Sequence, residues 1–182
     1  MKTNLTPPKT IRSRRAVSAP TAAKSKTVRK PALKTILAPT DFSSESRKAI
    51  RYATALAKSL GGQIVLLHVI EPTPYSGTLD DIPLLFTSDE LKKSAQRELK
   101  TLCKEESIAP ELLKSTHVRS GPACPEIVDE AKAIGADLIV IATHGQNALT
   151  RVIFGSTTER VVRHAKCPVL VVRENERDFI EM

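Results

Sequence analysis

The chain has no tryptophan, two tyrosines and four phenylalanines among its 182 residues. Platforms for single-stranded nucleic acid need aromatic faces in series, so this poverty argues against nucleic acid as a partner. The three cysteines, Cys103, Cys124 and Cys167, are odd in number, far apart and form no CxxC pair. A disulfide framework or a zinc site is therefore not expected, and reduced thiols suit a cytoplasmic location. Long apolar runs are missing as well, stretches such as Leu138 to Ala142 being only a few residues long. A membrane-spanning helix needs roughly 18 apolar residues in a row, so no span is expected.

Acid is absent from the first 30 positions, which carry nine Lys and Arg, and the rest of the chain holds 19 basic against 20 acidic residues. The formal net charge of +8 thus belongs to the front of the chain and not to its body. Residues 1–32 are rich in Ser, Thr, Pro and Ala and poor in large apolar side chains. Such a segment cannot offset its own ordering entropy, so it reads as a disordered basic tail. Loose contact with nucleic acid or anionic lipid, organelle targeting and plain solubility all remain open for it. Residues 33–176 then make one domain, of ordinary size for a single core, and 177–182 a short C-terminal tail.

From Leu33 onward, short apolar runs alternate with helix-period segments. Thr35 to Pro39 is a buried first strand, and a helix over about Ser44 to Leu60 places Ala49, Ile50, Ala53, Leu56, Ala57 and Leu60 on one face. Gly61 and Gly62 stop it. Residues 63–70 (QIVLLHVI) are apolar enough for a strand covered on both faces. A long connection, Glu71 to Ser88, leads to a helix near Asp89 to Glu105, with Thr87 and Glu90 as its capping box and Leu91, Ala95, Leu99 and Leu102 on one side. A weaker strand at Ser115 to Arg119, a helix at Cys124 to Ala133, a strand at Asp137 to Ala142, a helix from Ser156 with Val161, Val162 and Ala165 as its apolar residues, and a strand at Val169 to Arg173 complete the chain. Strict alternation of strand and helix predicts an open doubly wound parallel α/β sheet with helices on both faces, Rossmann-like in build.

In such sheets a ligand lies beyond the carboxyl ends of the strands, where strand order reverses. Two loops belong there. Pro39-Thr40-Asp41 follows the first strand, and its carboxylate could accept from a ribose hydroxyl or a base amine. Asp41 could equally cap the first helix together with Ser43 or Ser44, and the residues alone leave both readings open. The second loop runs from Ala142-Thr143-His144-Gly145 through nine residues to Gly155-Ser156-Thr157-Thr158. Gly145 and Gly155 let backbone approach a guest without a Cβ, and free amides at a helix N-terminus attract phosphate, the dipole adding about 0.3 to 1 kcal/mol per charge. Ser156 with Glu159 also reads as a capping box that needs no ligand. His68, inside an apolar strand, reads as a satisfied core or pocket-wall histidine. His144 has no second ligand at metal spacing.

Four segments in order, PTDFS (39–43), LLHV (66–69), THG-x9-GST (143–157) and RHAKCPVLVV (163–172), resemble the universal stress protein family over roughly residues 33–173. The resemblance implies a five-stranded sheet of order 3-2-1-4-5, a homodimer through the last strand (Val169 to Val172) and, in the nucleotide-binding branch, ATP held by a G-x2-G-x9-G-[ST] pattern. Carried over, Pro39, Thr40 and Asp41 would hold the adenosine and Val69 would line the base pocket. Ala142, His144 and Gly145 would form the first turn, and Gly155, Ser156, Thr157 and Thr158 would wrap the phosphates, with or without Mg2+. The first glycine of the pattern is Ala142 here, and alanine is tolerated wherever φ is negative.

The function so implied is a stress-response regulator whose output is a nucleotide-dependent change of conformation or dimerisation, toward a protein partner that the residues do not identify. No catalytic residue and no metal ligand is assigned. A lysine-bearing phosphate loop (GxxxxGK[ST]), an SGGxDS turn and an HxGH motif are all missing, so transition-state charge has little to stabilise it. The alternatives are a slow ATPase or other adenine-nucleotide hydrolase with His144 or Asp41 as base, and an interaction module whose pocket is degenerate.

Overall fold

The computed structural model describes residues 33–72, 88–143 and 155–173. The expected basic tail (1–32), Thr87 with the capping box assigned to it, His144, Gly145 and the C-terminal tail (177–182) lie outside the described residues.

Among the described residues five strands and four helices alternate: β1 (Thr35–Thr40), α1 (Ser44–Leu60), β2 (Gln63–Ile70), α2 (Ser88–Glu105), β3 (Leu113–Ser120), α3 (Ala123–Ala133), β4 (Leu138–Ala142), α4 (Ser156–His164) and β5 (Val169–Val172). The strands form one sheet in the order β3-β2-β1-β4-β5, and every pairing is parallel. This is the doubly wound architecture that the strand–helix alternation predicts.

Successive side chains of a strand point to opposite faces, and both faces are covered, so the strands separate two apolar clusters. Ile36, Ala38, Ile64 and Leu66 pack with Ile50 of α1 and Leu99 of α2 on one face. On the other, Leu37, Val65 and Leu67 pack with Ile127 of α3 and Val161 of α4. Full burial of one such side chain contributes about 1.5 to 3 kcal/mol, and the four residues of the run Ile64–Leu67 are all out of solvent.

The ends of α1 follow local chemistry. Ser43 is its N-cap, the hydroxyl accepting from the Ser46 N–H at 3.2 Å. Gly61 closes it at φ 73°, a left-handed conformation that costs a side chain energy. Gly62 must also lack a side chain, because a Cβ there would stand 2.0 Å from the Leu33 carbonyl oxygen.

Three expectations need correction. Leu91 opens α2 in its first turn and is 42% exposed, the buried face of that helix beginning at Ala95. Val162 is 50% exposed, because its neighbour Val161 takes the inward position and adjacent helical residues diverge by about 100°. β3 runs three residues longer than the pattern Ser115 to Arg119 indicates. Its Ser, Thr and His are half-buried at a sheet edge, where pairing with β2 and not an apolar run sustains the strand.

Candidate functional site

Pairing between the central strands β1 and β4 ends before Pro39. The Thr35 carbonyl accepts from the Asp137 N–H at 2.9 Å, so β1 turns the backbone of Thr35, Leu37 and residue 39 toward β4. Proline has no N–H to donate. Registered pairing of β1 with β4 covers Ile36 and Leu37, whereas pairing with β2 continues to Thr40 opposite His68. Registered pairing of the two central strands thus ends at Leu37, where the next inward donor would be the missing N–H of Pro39, at the point where strand order reverses.

On the β1 side of this point, Thr40 ends the strand with a buried hydroxyl, 2.9 Å from the Ser46 hydroxyl, that accepts from the Phe42 N–H at 3.0 Å. The Asp41 carboxylate accepts from the N–H of Ser43 at 3.1 Å and from its hydroxyl at 2.6 Å. Phe42 between them sits at φ 68°, an unusual conformation for a side-chain-bearing residue. Two contacts hold it. Its ring lies 4.4 Å from that of His68, and its carbonyl accepts from Arg47 Nε at 3.4 Å. His68 Nδ1 lies 2.9 Å from the Thr40 carbonyl oxygen, which can only accept, so Nδ1 carries the proton. His68 is thus a satisfied histidine, as its place in an apolar strand implies. Val69, the next residue, packs against the opposite, α3–α4 cluster and is half-buried.

On the β4 side, Thr158 donates its buried hydroxyl to the Ala142 carbonyl at 2.7 Å. Gly155 donates its N–H to the Thr143 carbonyl at 2.8 Å. These two bonds clamp the start of α4 against the end of β4. Gly155, rather than Ser156, is the N-cap, with no side-chain cap bond, so the capping box read from Ser156 and Glu159 does not form. Among the described residues, then, no side chain caps the first-turn amides of α4. Ser156 is exposed, while Gly155 and Thr157 are half-buried.

Ala142 replaces a glycine of the pattern without strain. Its methyl group joins the α1-side core, and the non-glycine residues with positive φ among those described are Phe42 and Ser107. His144 and Gly145 would continue from Thr143, outside the described residues. Sequence reasoning overlooked two features here: the ladder-ending role of Pro39, for which a proline inside an apolar strand was the available signal, and the inward commitment of Thr158, which had none.

A second polar cluster lies on the α3 side of β3. Arg119 Nη1 donates to Glu130 at 2.8 Å, its Nε to Glu126, and His117 Nδ1 meets the other oxygen of Glu130. Burial pushes the Glu130 pKa up, but the hydrogen bonds from Arg119 and His117 prevail and hold it below the usual carboxylate value. Burial raises the thiols of Cys103 and Cys167. Among the described residues no group of three or more His, Cys, Asp or Glu could hold a metal ion.

The model of the universal stress protein family matches residues 32–173. The chain belongs to the universal stress protein family. A universal stress protein of Methanocaldococcus jannaschii is 34% identical over 147 residues, covering 80% of this chain and 85% of that one. The solved structure of universal stress protein UspA from Lactobacillus plantarum superposes with a TM-score of 0.66 at 29% identity, over 79% of this chain and 99% of that one. The universal stress protein from Archaeoglobus fulgidus in complex with dAMP shares the fold at a TM-score of 0.54 and 19% identity, over 77% of this chain and 97% of that one. The family assignment agrees with the observed order β3-β2-β1-β4-β5. Among the described residues no helix is long and apolar enough to cross a membrane.

Proposed function

We propose that this universal stress protein binds ATP in the opening between β1 and β4 and acts as a stress-response regulator through nucleotide-dependent conformation or dimerisation. The observation that carries this reading is the end of β1–β4 pairing just before Pro39, with a carboxylate-bearing turn following β1 and the N-terminal amides of α4 held beside the end of β4. Pro39, Thr40 and Asp41 receive the adenosine, the Asp41 carboxylate accepting from ribose hydroxyls, and Val69 flanks the base. The amides of Gly155, Ser156 and Thr157 face the phosphates with Ala142, His144 and Gly145 in the first turn, and Thr158 holds that turn through Ala142. The fold relative from Archaeoglobus fulgidus that carries dAMP supports an adenine nucleotide. Mg2+, where present, arrives on the phosphates, since its usual ligands are substrate oxygens, waters and one or two carboxylates.

Residues 33–176 form the nucleotide-binding domain, between a basic tail and a short C-terminal one. The described cysteines are all free, which fits a reducing cytoplasm. The half-buried Val169, Leu170 and Val171 of the edge strand β5 support a homodimer, because natural proteins cover apolar sheet edges.

Calorimetry of the full chain with Mg-ATP tests the proposal. The expected dissociation constant is tighter than about 1 mM, or about −4.1 kcal/mol, and Asp41→Ala weakens it tenfold or more. Turnover stays below about one per minute, far under the roughly 10 per second of a median enzyme. Wild type without measurable affinity would leave the interaction-module reading in its place.

A further inference from the structure

The outer face of α2 is basic beyond its first turn, where the acids Asp89 and Glu90 stand before the stripe. Lys93, Arg97, Lys100 and Lys104 recur at intervals of four, three and four, so they form one stripe on the side away from the core residues Ala95, Leu99 and Leu102. The acids at the end of the helix are engaged elsewhere: Glu105 pairs with Arg47 at 2.6 Å and Glu106 with Arg51 at 3.0 Å, both on α1. No ion pair is formed by Lys93, Arg97 or Lys100 among the described residues. Lys93, Gln96, Arg97 and Lys100 line a concavity of about 400 Å³. Gln96 donates to the Thr116 hydroxyl at 2.9 Å, which sets this concavity beside β3.

β3 is an edge strand of eight residues, paired among the described residues with β2 alone. Gly121 donates its N–H to the Ile70 carbonyl, so the alternating residues Thr116, Val118 and Ser120 turn their backbone groups away from β2. The charged residues of β3, Lys114 and Arg119, stand near its two ends, and the stretch 115–118 between them carries no Lys, Arg, Asp or Glu of the kind that blunts an edge.

We propose that this edge accepts an extended acidic segment of a partner protein, which adds to the sheet beside β3 with its carboxylates under the basic stripe of α2. Alternate residues of an added strand recur every ~6.6 Å. Lys93 and Arg97, four residues apart on a helix, are separated by about 6 Å along its axis, so acids at every second position meet successive cations. The intervening side chains point to the α3 side, where Glu126 and Glu130 already share Arg119. A further acid is repelled there, and the fitting pattern is acidic and neutral in alternation. A nucleic acid or a lipid headgroup supplies the charge but not the backbone donors and acceptors that the open edge requires. The surface is separate from the nucleotide opening, and its occupation does not rest on that reading.

The test uses the full chain and a fluorescein-labelled eight-residue peptide of alternating Glu and Val, followed by anisotropy at low salt. Binding in the micromolar range is expected, weakened at least tenfold by the double variant Lys93→Glu, Arg97→Glu. The basic front of the chain is identical in both proteins, so such a loss belongs to α2. A peptide of the same charge, N-methylated at alternate residues, is expected to bind at least tenfold more weakly than its parent, and amide exchange at Val118 and Ser120 is expected to slow with the parent only. Equal affinity of the two peptides, or an unchanged constant in the variant, overturns the proposal. So does tighter, variant-sensitive binding of a single-stranded oligonucleotide or of phosphatidylserine vesicles. Circular dichroism of the double variant, whose changed residues are exposed, checks that it folds.

Discussion

Thr158 of α4 donates its hydroxyl to the carbonyl of Ala142 at the end of β4, at 2.7 Å and out of solvent. Ile139 and Thr143 turn their N–H groups to β5, so Ala142 between them directs its carbonyl toward the β1 side, where the ladder has already stopped. A helix side chain thus satisfies a backbone group that a neighbouring strand would otherwise pair.

Replacing Thr158 tests that role. Thr158→Val keeps the volume but leaves a buried acceptor unpaired, which costs about 1 to 3 kcal/mol. Urea denaturation is expected to show this loss, and Thr158→Ser to recover most of it. ATP affinity in Thr158→Val is expected to fall as well, because the start of α4 loses one of its two clamps to the strand.

Pro39→Ala addresses the opening from the other side. The restored N–H can donate to β4, extending the β1–β4 ladder toward the carboxyl edge. The new amide is expected to be protected against hydrogen exchange, and ATP to bind more weakly, while stability changes by less than about 1 kcal/mol, the scale of a proline's effect on the unfolded chain. A new amide that exchanges freely would show that proline is not what separates the strands.

Glu130 makes stability depend on acid. Its folded pKa is held below the ordinary value by Arg119 and His117. A group depressed in this way stabilises the fold above its unfolded pKa of about 4.3, and that contribution is lost as pH falls through the folded value. At neutral pH, Glu130→Gln is expected to cost about 1 to 3 kcal/mol, since it leaves the Arg119 cation without one of its acceptors. Denaturation curves from pH 7 down to about pH 3 should bring wild type and variant together at the acid end. Parallel pH profiles would mean that the network carries no such linkage.

The dimer prediction concerns β5. Light scattering on wild type is expected to give twice the chain mass of 19.9 kDa, and Val171→Lys to give the single-chain mass. A monomeric wild type removes the proposal that β5 is an interface.

The amino-acid sequence by itself determined the alternation of strand and helix, the covered faces of β1, β2 and β4, and the glycine exit of α1, because these depend on apolar period and on backbone freedom at single positions. It also singled out the turn after β1 and the start of α4, which the fold sets at the carboxyl edge of the sheet. β3 was only partly legible: Ser115 to Arg119 read as a weak strand, and its extension to Leu113 and Ser120 follows from pairing with β2. Tertiary structure alone decided that Pro39 ends a ladder, that Gly155 and not Ser156 caps α4, and that Thr158 faces inward to Ala142. Each of these depends on which backbone groups of another strand lie opposite, and that register is set by the packing of whole elements, not by any residue's own chemistry.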